Sequence, residues 1–155
     1  MNDLSDLVLP DAILPRLAAT SRRQALQILA DALAKASGVD ARAAFDAVLL
    51  RERLSGTGMG EGVAIPHAHV AGLDRPIGAF ARLDPPQDFN AMDGRPADLI
   101  FMLLTPLNRG ADHLKALARA SRFMRRAEIR DKLRNARGAA ELKTLFAGAV
   151  RDNAA

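Results

Sequence analysis

Residue patterning along the chain predicts an α/β protein, a three-layer α/β/α sandwich around a mixed sheet in a single domain. Segments whose apolar residues recur at helical spacing alternate with short β-prone runs, the arrangement expected of helices packed on both faces of a sheet. Leu99-Ile-Phe-Met-Leu-Leu104 is apolar throughout and bounded by Asp98 and Thr105-Pro106, as a central strand covered on both faces should be. The 155 residues, 49% hydrophobic and 26% charged, suffice for one sizeable core, and no repeat, low-complexity tract or linker divides them. One domain over residues 1–155, with its core at about 4–148, is the expectation.

Residues 1–20 mix Leu4, Leu7, Val8, Leu9, Ile13, Leu14 and Leu17 with Pro10 and Pro15, which predicts short extended pieces and turns against the body. Ser21-Arg-Arg-Gln24 has the form of a capping box, and Ala25, Leu26, Leu29 and Leu33 carry an amphipathic helix to Gly38. Asp40 caps a second helix that buries Phe45, Val48 and Leu49, brings Arg51 near its C-terminal end and stops between Leu54 and Gly56. A strand at Val63-Ala-Ile65 ends at Pro66. Residues 71–76 then form a turn, and Ile77, Ala79, Ala81 and Leu83 alternate in a strand that Pro85-Pro86 breaks. After a turn at Asp93-Gly94 and the central strand, a helix over about 112–125 places Leu114, Leu117, Ala118, Ser121 and Met124 near one face and His113 in its first turn. Two shorter helices, around 127–135 and 139–146, are separated by Gly138, and the tail after Gly148 is expected to be loose.

The stretch of the chain richest in chemistry is Gly56-Thr-Gly-Met-Gly-Glu-Gly-Val-Ala-Ile-Pro-His67. Glycines at 56, 58, 60 and 62 free the backbone to crowd N–H groups around an anion. Pro66 fixes the chain just before His67 and limits where the imidazole points. A nucleophilic histidine carrying a phosphoryl group on a ring nitrogen fits this design; a satisfied histidine at a strand end fits it too. His113, at a helix N-terminus, is placed either to donate to a phosphoryl oxygen or to serve the helix cap. Arg51 offers a planar fork of donors to a phosphoryl group or complements the end of its own helix, beside Glu52 and Arg53. Ser55 and Thr57 are hydroxyl donors or ordinary turn residues.

Several function classes fall away. The chain has no Cys, which removes disulfides, zinc–thiolate sites and cysteine nucleophiles. The glycine loop follows a helix, has Glu61 where a dinucleotide fingerprint needs its last glycine, and lacks the Gly-Lys-Ser/Thr of a P-loop. His67, His69 and His113 make a three-histidine zinc site a minor alternative. The N-terminus has no signal pattern and no apolar run reaches the length of a membrane span, so a soluble cytoplasmic protein without membrane insertion is expected. The net charge of +4 leaves room for an acidic partner. Arg119, Arg122, Arg125, Arg126, Arg130, Lys132, Arg134 and Arg137 raise nucleic-acid binding, but Glu128 and Asp131 interrupt them, and with 4% aromatic residues and no Trp or Tyr little is available for stacking. A solvated face of two helices is the simpler reading.

The string Gly-Met-Gly-Glu-Gly-Val-Ala-Ile-Pro-His67 closely resembles the active-site signature of the fructose/mannitol-type IIA components of the bacterial phosphotransferase system. Leu50-Arg51-Glu-Arg53 resembles that family's basic segment, and Asp112-His113-Leu-Lys-Ala-Leu its second histidine on a helix. Nearly the whole chain is covered, and the single-domain form looks most like the nitrogen-regulatory members. The resemblance implies the same sandwich fold and a phosphocarrier without metal or organic cofactor. It implies His67 as the phosphoryl acceptor, His113 as hydrogen-bond donor and Arg51, in preference to Arg53, as clamp. The implied donor is an HPr-like carrier fed from phosphoenolpyruvate, and the implied targets are regulatory partners such as a kinase or transporter. Sugar-uptake members pass the group to a cysteine on a B domain; a chain with no Cys and no room for such a domain favours a regulator, with transfer to a separate B protein as the alternative and a pure interaction module as a lesser one. At position 69 the chain departs from the family, in which a small residue and then a longer basic side chain commonly follow the active histidine. Ala68-His69 leaves the role of position 69 open, and His69 is expected at the rim.

Overall fold

A computed structural model describes residues 3–148; the tail after Gly148 lies outside the described residues. Its elements in order are β1 (Val8–Leu17), α1 (Arg22–Ser37), α2 (Ala41–Leu54), β2 (Gly58–Gly60), β3 (Val63–Ala64), β4 (His67–Val70), β5 (Ile77–Gln87), β6 (Ala97–Pro106), α3 (Gly110–Met124), α4 (Ala127–Asn135) and α5 (Ala139–Phe146). The sheet runs β1-β5-β6-β3-β2, with β4 also on β6. β5 and β6 are antiparallel, whereas β1 lies parallel to β5 and both β3 and β4 lie parallel to β6. The mixed sheet expected from the sequence is therefore present, with the Leu99–Leu104 run at its centre. Alternate residues of β6 face opposite layers: Ile100, Met102 and Leu104 join the core under α1 and α2, and Leu99, Phe101 and Leu103 join the core under α3, α4 and α5.

The helix ends follow local chemistry. The Ser21 hydroxyl accepts from the Gln24 N–H at 3.1 Å, but the Gln24 side chain reaches one residue beyond the usual box and accepts from the Thr20 N–H at 2.7 Å. Asp40 accepts from the Ala43 N–H, and α2 ends at Leu54. Gly38 adopts φ 87°, the left-handed conformation that closes α1.

Three expectations need correction. The N-terminal region is one irregular ten-residue edge strand, which tolerates Pro10 and Pro15 because its register slips twice against β5. Pro85-Pro86 does not break β5, which continues to Gln87 after a register shift beyond Arg82. The buried face of α3 is His113, Ala116, Ala120, Phe123 and Met124, while Leu114 is 67% exposed. Small alanines let the helix lie close on the sheet, while Leu117 borders the cleft beside His67.

Candidate functional site

One end of β6 gathers the site. The chain leaves β3, passes through Ile65-Pro66 and resumes as β4, so that His67 pairs with Leu103 and His69 with Thr105. The Pro66 carbonyl accepts from the Leu103 N–H at 2.9 Å, which keeps the interruption tied to the central strand. Period-two alternation then puts both imidazoles on one side of β4. α3 starts just after β6 and returns His113 across the same surface. The ring centroids of His67 and His113 are 5.4 Å apart, and those of His69 and His113 are 4.1 Å apart.

The hydrogen bonds of His67 fix its tautomer. Its Nδ1 lies 2.7 Å from the Ile65 carbonyl oxygen, which can only accept, so Nδ1 carries the proton and Nε2 keeps its lone pair. Burial pushes the His67 pKa below its ordinary value; the Ile65 carbonyl pulls it back, and Arg51 and His69 add to the lowering. His113 is lowered to about 4, chiefly by burial and then by the charges of its neighbours. Both rings are therefore neutral near neutral pH, and a neutral imidazole with a free Nε2 is a nucleophile.

Arg51 lines the same cleft of about 220 Å³ as His67, together with Thr57, Gly58, Met59, Ile65, Leu117 and Ser121. One guanidinium nitrogen donates to the Ser55 carbonyl at 2.7 Å, so the side chain closes its own helix while bordering the cleft. Arg53 is exposed and does not line it. Arg109, the N-cap of α3, makes no side-chain capping bond, which leaves the first-turn N–H groups of that helix without a side-chain cap. The wider depression of about 660 Å³ lies between β1 and α3 around Asp6 and Arg119 and is lined by none of the three histidines.

The glycine loop is held from outside. A Cβ on Gly58 would fall 2.9 Å from the Ala91 Cβ and N and the Phe89 carbonyl oxygen, contacts that only glycine accommodates. Asp93 accepts from the Glu61 N–H at 2.9 Å, and Arg134 donates to the Glu61 carbonyl while pairing with Asp98.

In the sequence Glu52 stands out only as a neighbour of Arg51. It is 2% exposed and accepts from the Thr57 N–H at 2.9 Å and the Thr57 hydroxyl at 2.6 Å, with Arg22 3.8 Å away. It thus ties the end of α2 to the start of the glycine loop and engages the hydroxyl proton of Thr57. Its signal was present: Ala44, Phe45, Val48 and Glu52 share the buried stripe of α2. Thr105 also went unread, although a hydroxyl at the end of an apolar strand beside two histidines was its signal. Among the described residues no group of three or more His, Cys, Asp and Glu is placed to hold a metal ion.

The mixed sheet between helical layers, with the glycine loop leading into His67, has the fold of the IIA class of phosphotransferase-system domains. Residues 7–148 match the family model for the phosphoenolpyruvate-dependent sugar phosphotransferase system, EIIA 2, and the chain belongs to that family. It is 50% identical over 144 residues to the nitrogen regulatory protein of Bradyrhizobium diazoefficiens, covering 93% of this chain and 94% of that one. It is 40% identical over 131 residues to the fructose-specific EIIA component of Haloferax volcanii, covering 84% and 85%. The crystal structure of the nitrogen regulatory protein IIA-Ntr from Neisseria meningitidis superposes with a TM-score of 0.84 at 31% identity, covering 92% of this chain and 97% of that one.

Proposed function

We propose that the chain is a phosphohistidine carrier with a regulatory role, taking a phosphoryl group on His67 from an HPr-like protein. The observation that carries this reading is the bond from His67 Nδ1 to the Ile65 carbonyl, which leaves Nε2 as the free lone pair on a neutral ring. Nε2 attacks phosphorus in line; the bond from phosphorus to the donor's histidine nitrogen breaks, and its electron pair stays on that nitrogen. His113 and Arg51 stabilise charge on the equatorial oxygens, with the N-terminus of α3 adding its dipole. No step requires a metal or an organic cofactor. Similarity to proteins named as nitrogen regulatory proteins supports regulation of target proteins, such as a kinase or transporter, by phosphorylation state.

The test is incubation with phosphoenolpyruvate, its enzyme I and an HPr-like protein, followed by intact mass measurement. One acid-labile phosphoryl group is expected on the wild type and none on His67→Ala. No added mass, with partners shown to be active, overturns the reading. The likeness to a fructose-specific EIIA component keeps a second reading open, in which the group passes to a separate sugar-specific B protein. Rapid transfer from the phosphorylated chain to such a protein is the outcome that favours it.

A further inference from the structure

Thr105 is fully buried, at a strand position where valine would have the same shape without a hydroxyl to satisfy. Its Oγ1 lies 3.1 Å from His69 Nδ1 and 2.5 Å from His113 Nδ1. His69 Nδ1 is also 3.3 Å from the Pro106 carbonyl oxygen. That carbonyl can only accept, so His69 Nδ1 carries a proton and donates, and Thr105 accepts from it. The hydroxyl's own proton then cannot go to His69. Its remaining partner is His113 Nδ1, which must offer a lone pair, so the single proton of neutral His113 sits on Nε2. No hydrogen bond among the described residues uses that nitrogen, and no buried side-chain nitrogen or oxygen there lacks a partner, so Nε2 opens to solvent.

We propose that Thr105 and His69 are positioning residues that lock His113 in the Nε2–H form, presenting a hydrogen-bond donor to the phosphoryl group on His67. The proposal rests on the phosphocarrier reading for its target and gives position 69, where this chain departs from its family's pattern, a role one step behind the chemistry. Direction passes from the Pro106 carbonyl to the His69 N–H, to the Thr105 O–H and to His113.

Long-range proton–nitrogen correlation spectra of the wild type decide the tautomer directly. Nδ1 of His113 is expected unprotonated and hydrogen-bonded, and Nε2 protonated. Thr105→Val should remove the hydrogen-bond signature at Nδ1 and slow phosphoryl acceptance about tenfold, whereas Thr105→Ser should restore both. His69→Ala should weaken the lock, and the double variant His69→Ala/Thr105→Val should be no slower than Thr105→Val, since His69 acts through Thr105. Nδ1–H on wild-type His113, wild-type rates in Thr105→Val, or additive losses in the double variant overturn the proposal. A wild type that never takes up a phosphoryl group overturns the phosphocarrier reading instead, and the nitrogen spectrum then decides the tautomer alone.

Discussion

Burial favours the neutral imidazoles of His67 and His113 and couples stability to pH. His113 has its pKa lowered from 6.5 to about 4. In the unfolded chain it gains a proton below 6.5, while in the folded chain it resists until about 4. Its contribution is therefore complete above 6.5 and is lost as pH falls from there toward 4. His113→Gln should flatten the loss of stability between those values, read as denaturant midpoints at about pH 7 and about pH 4.5; an unchanged slope contradicts the buried neutral state. His67→Ala should abolish acceptance with little loss of stability, because the ring is only half-buried. Arg51→Ala should slow acceptance by roughly tenfold to a hundredfold, the loss of one or two hydrogen bonds to a charged group. Wild-type rates in Arg51→Ala would leave that residue as no more than the cap of its own helix.

Between elements, the glycine loop depends on the two hydrogen bonds that Glu52 accepts from Thr57. A glutamine there keeps one acceptor oxygen but turns an amide toward a donor, so Glu52→Gln should cost about 1–3 kcal/mol in urea unfolding and slow phosphoryl acceptance with it. Full stability would mean that the loop is held by Asp93 and Arg134 alone. Much of this layer was legible from the sequence: Ser21, Asp40 and Gly38 announced their caps, and the uninterrupted apolarity of Leu99–Leu104 announced the central strand. Motif and spacing single out His67, His113 and Arg51 as candidates, and the structure brings the three close together. The misreadings have a common cause. In α3 close packing on the sheet selects alanine over leucine, and in β1 and β5 register shifts accommodate the prolines. Glu52 and Thr105 escaped because their polar atoms are satisfied by tertiary partners that no local pattern displays.

Across the molecule, the basic stripe is largely spent on the fold itself. Arg119 pairs with Asp6, Arg126 with Glu128, Arg134 with Asp98 and Arg137 with Glu141, while Arg130 donates to the carbonyls of Met124 and Arg125. Binding to duplex DNA should accordingly be weak and vanish at moderate salt. Leu50, Leu54, Leu107 and Leu114 are exposed apolar side chains on the elements that carry Arg51 and His113 or on the loop between β6 and α3, and under the phosphocarrier reading they are the candidate surface for a partner. Under that reading a phosphoryl group on His67 would add a charge of about −1.5 to −2 beside Arg51. A partner that buries the neutral surface must then desolvate that charge, and one with arginines of its own gains from it, so the two states should select different complexes. With purified partners, unphosphorylated and phosphorylated protein are expected to differ in affinity by tenfold or more, on the order of 1.4 kcal/mol. Leu114→Asp should weaken the complex of the unphosphorylated form while leaving uptake of the phosphoryl group on His67 measurable. Equal affinities of the two states for every target, together with fast transfer to a sugar-specific B protein, would make the chain a relay in sugar uptake instead of a regulator.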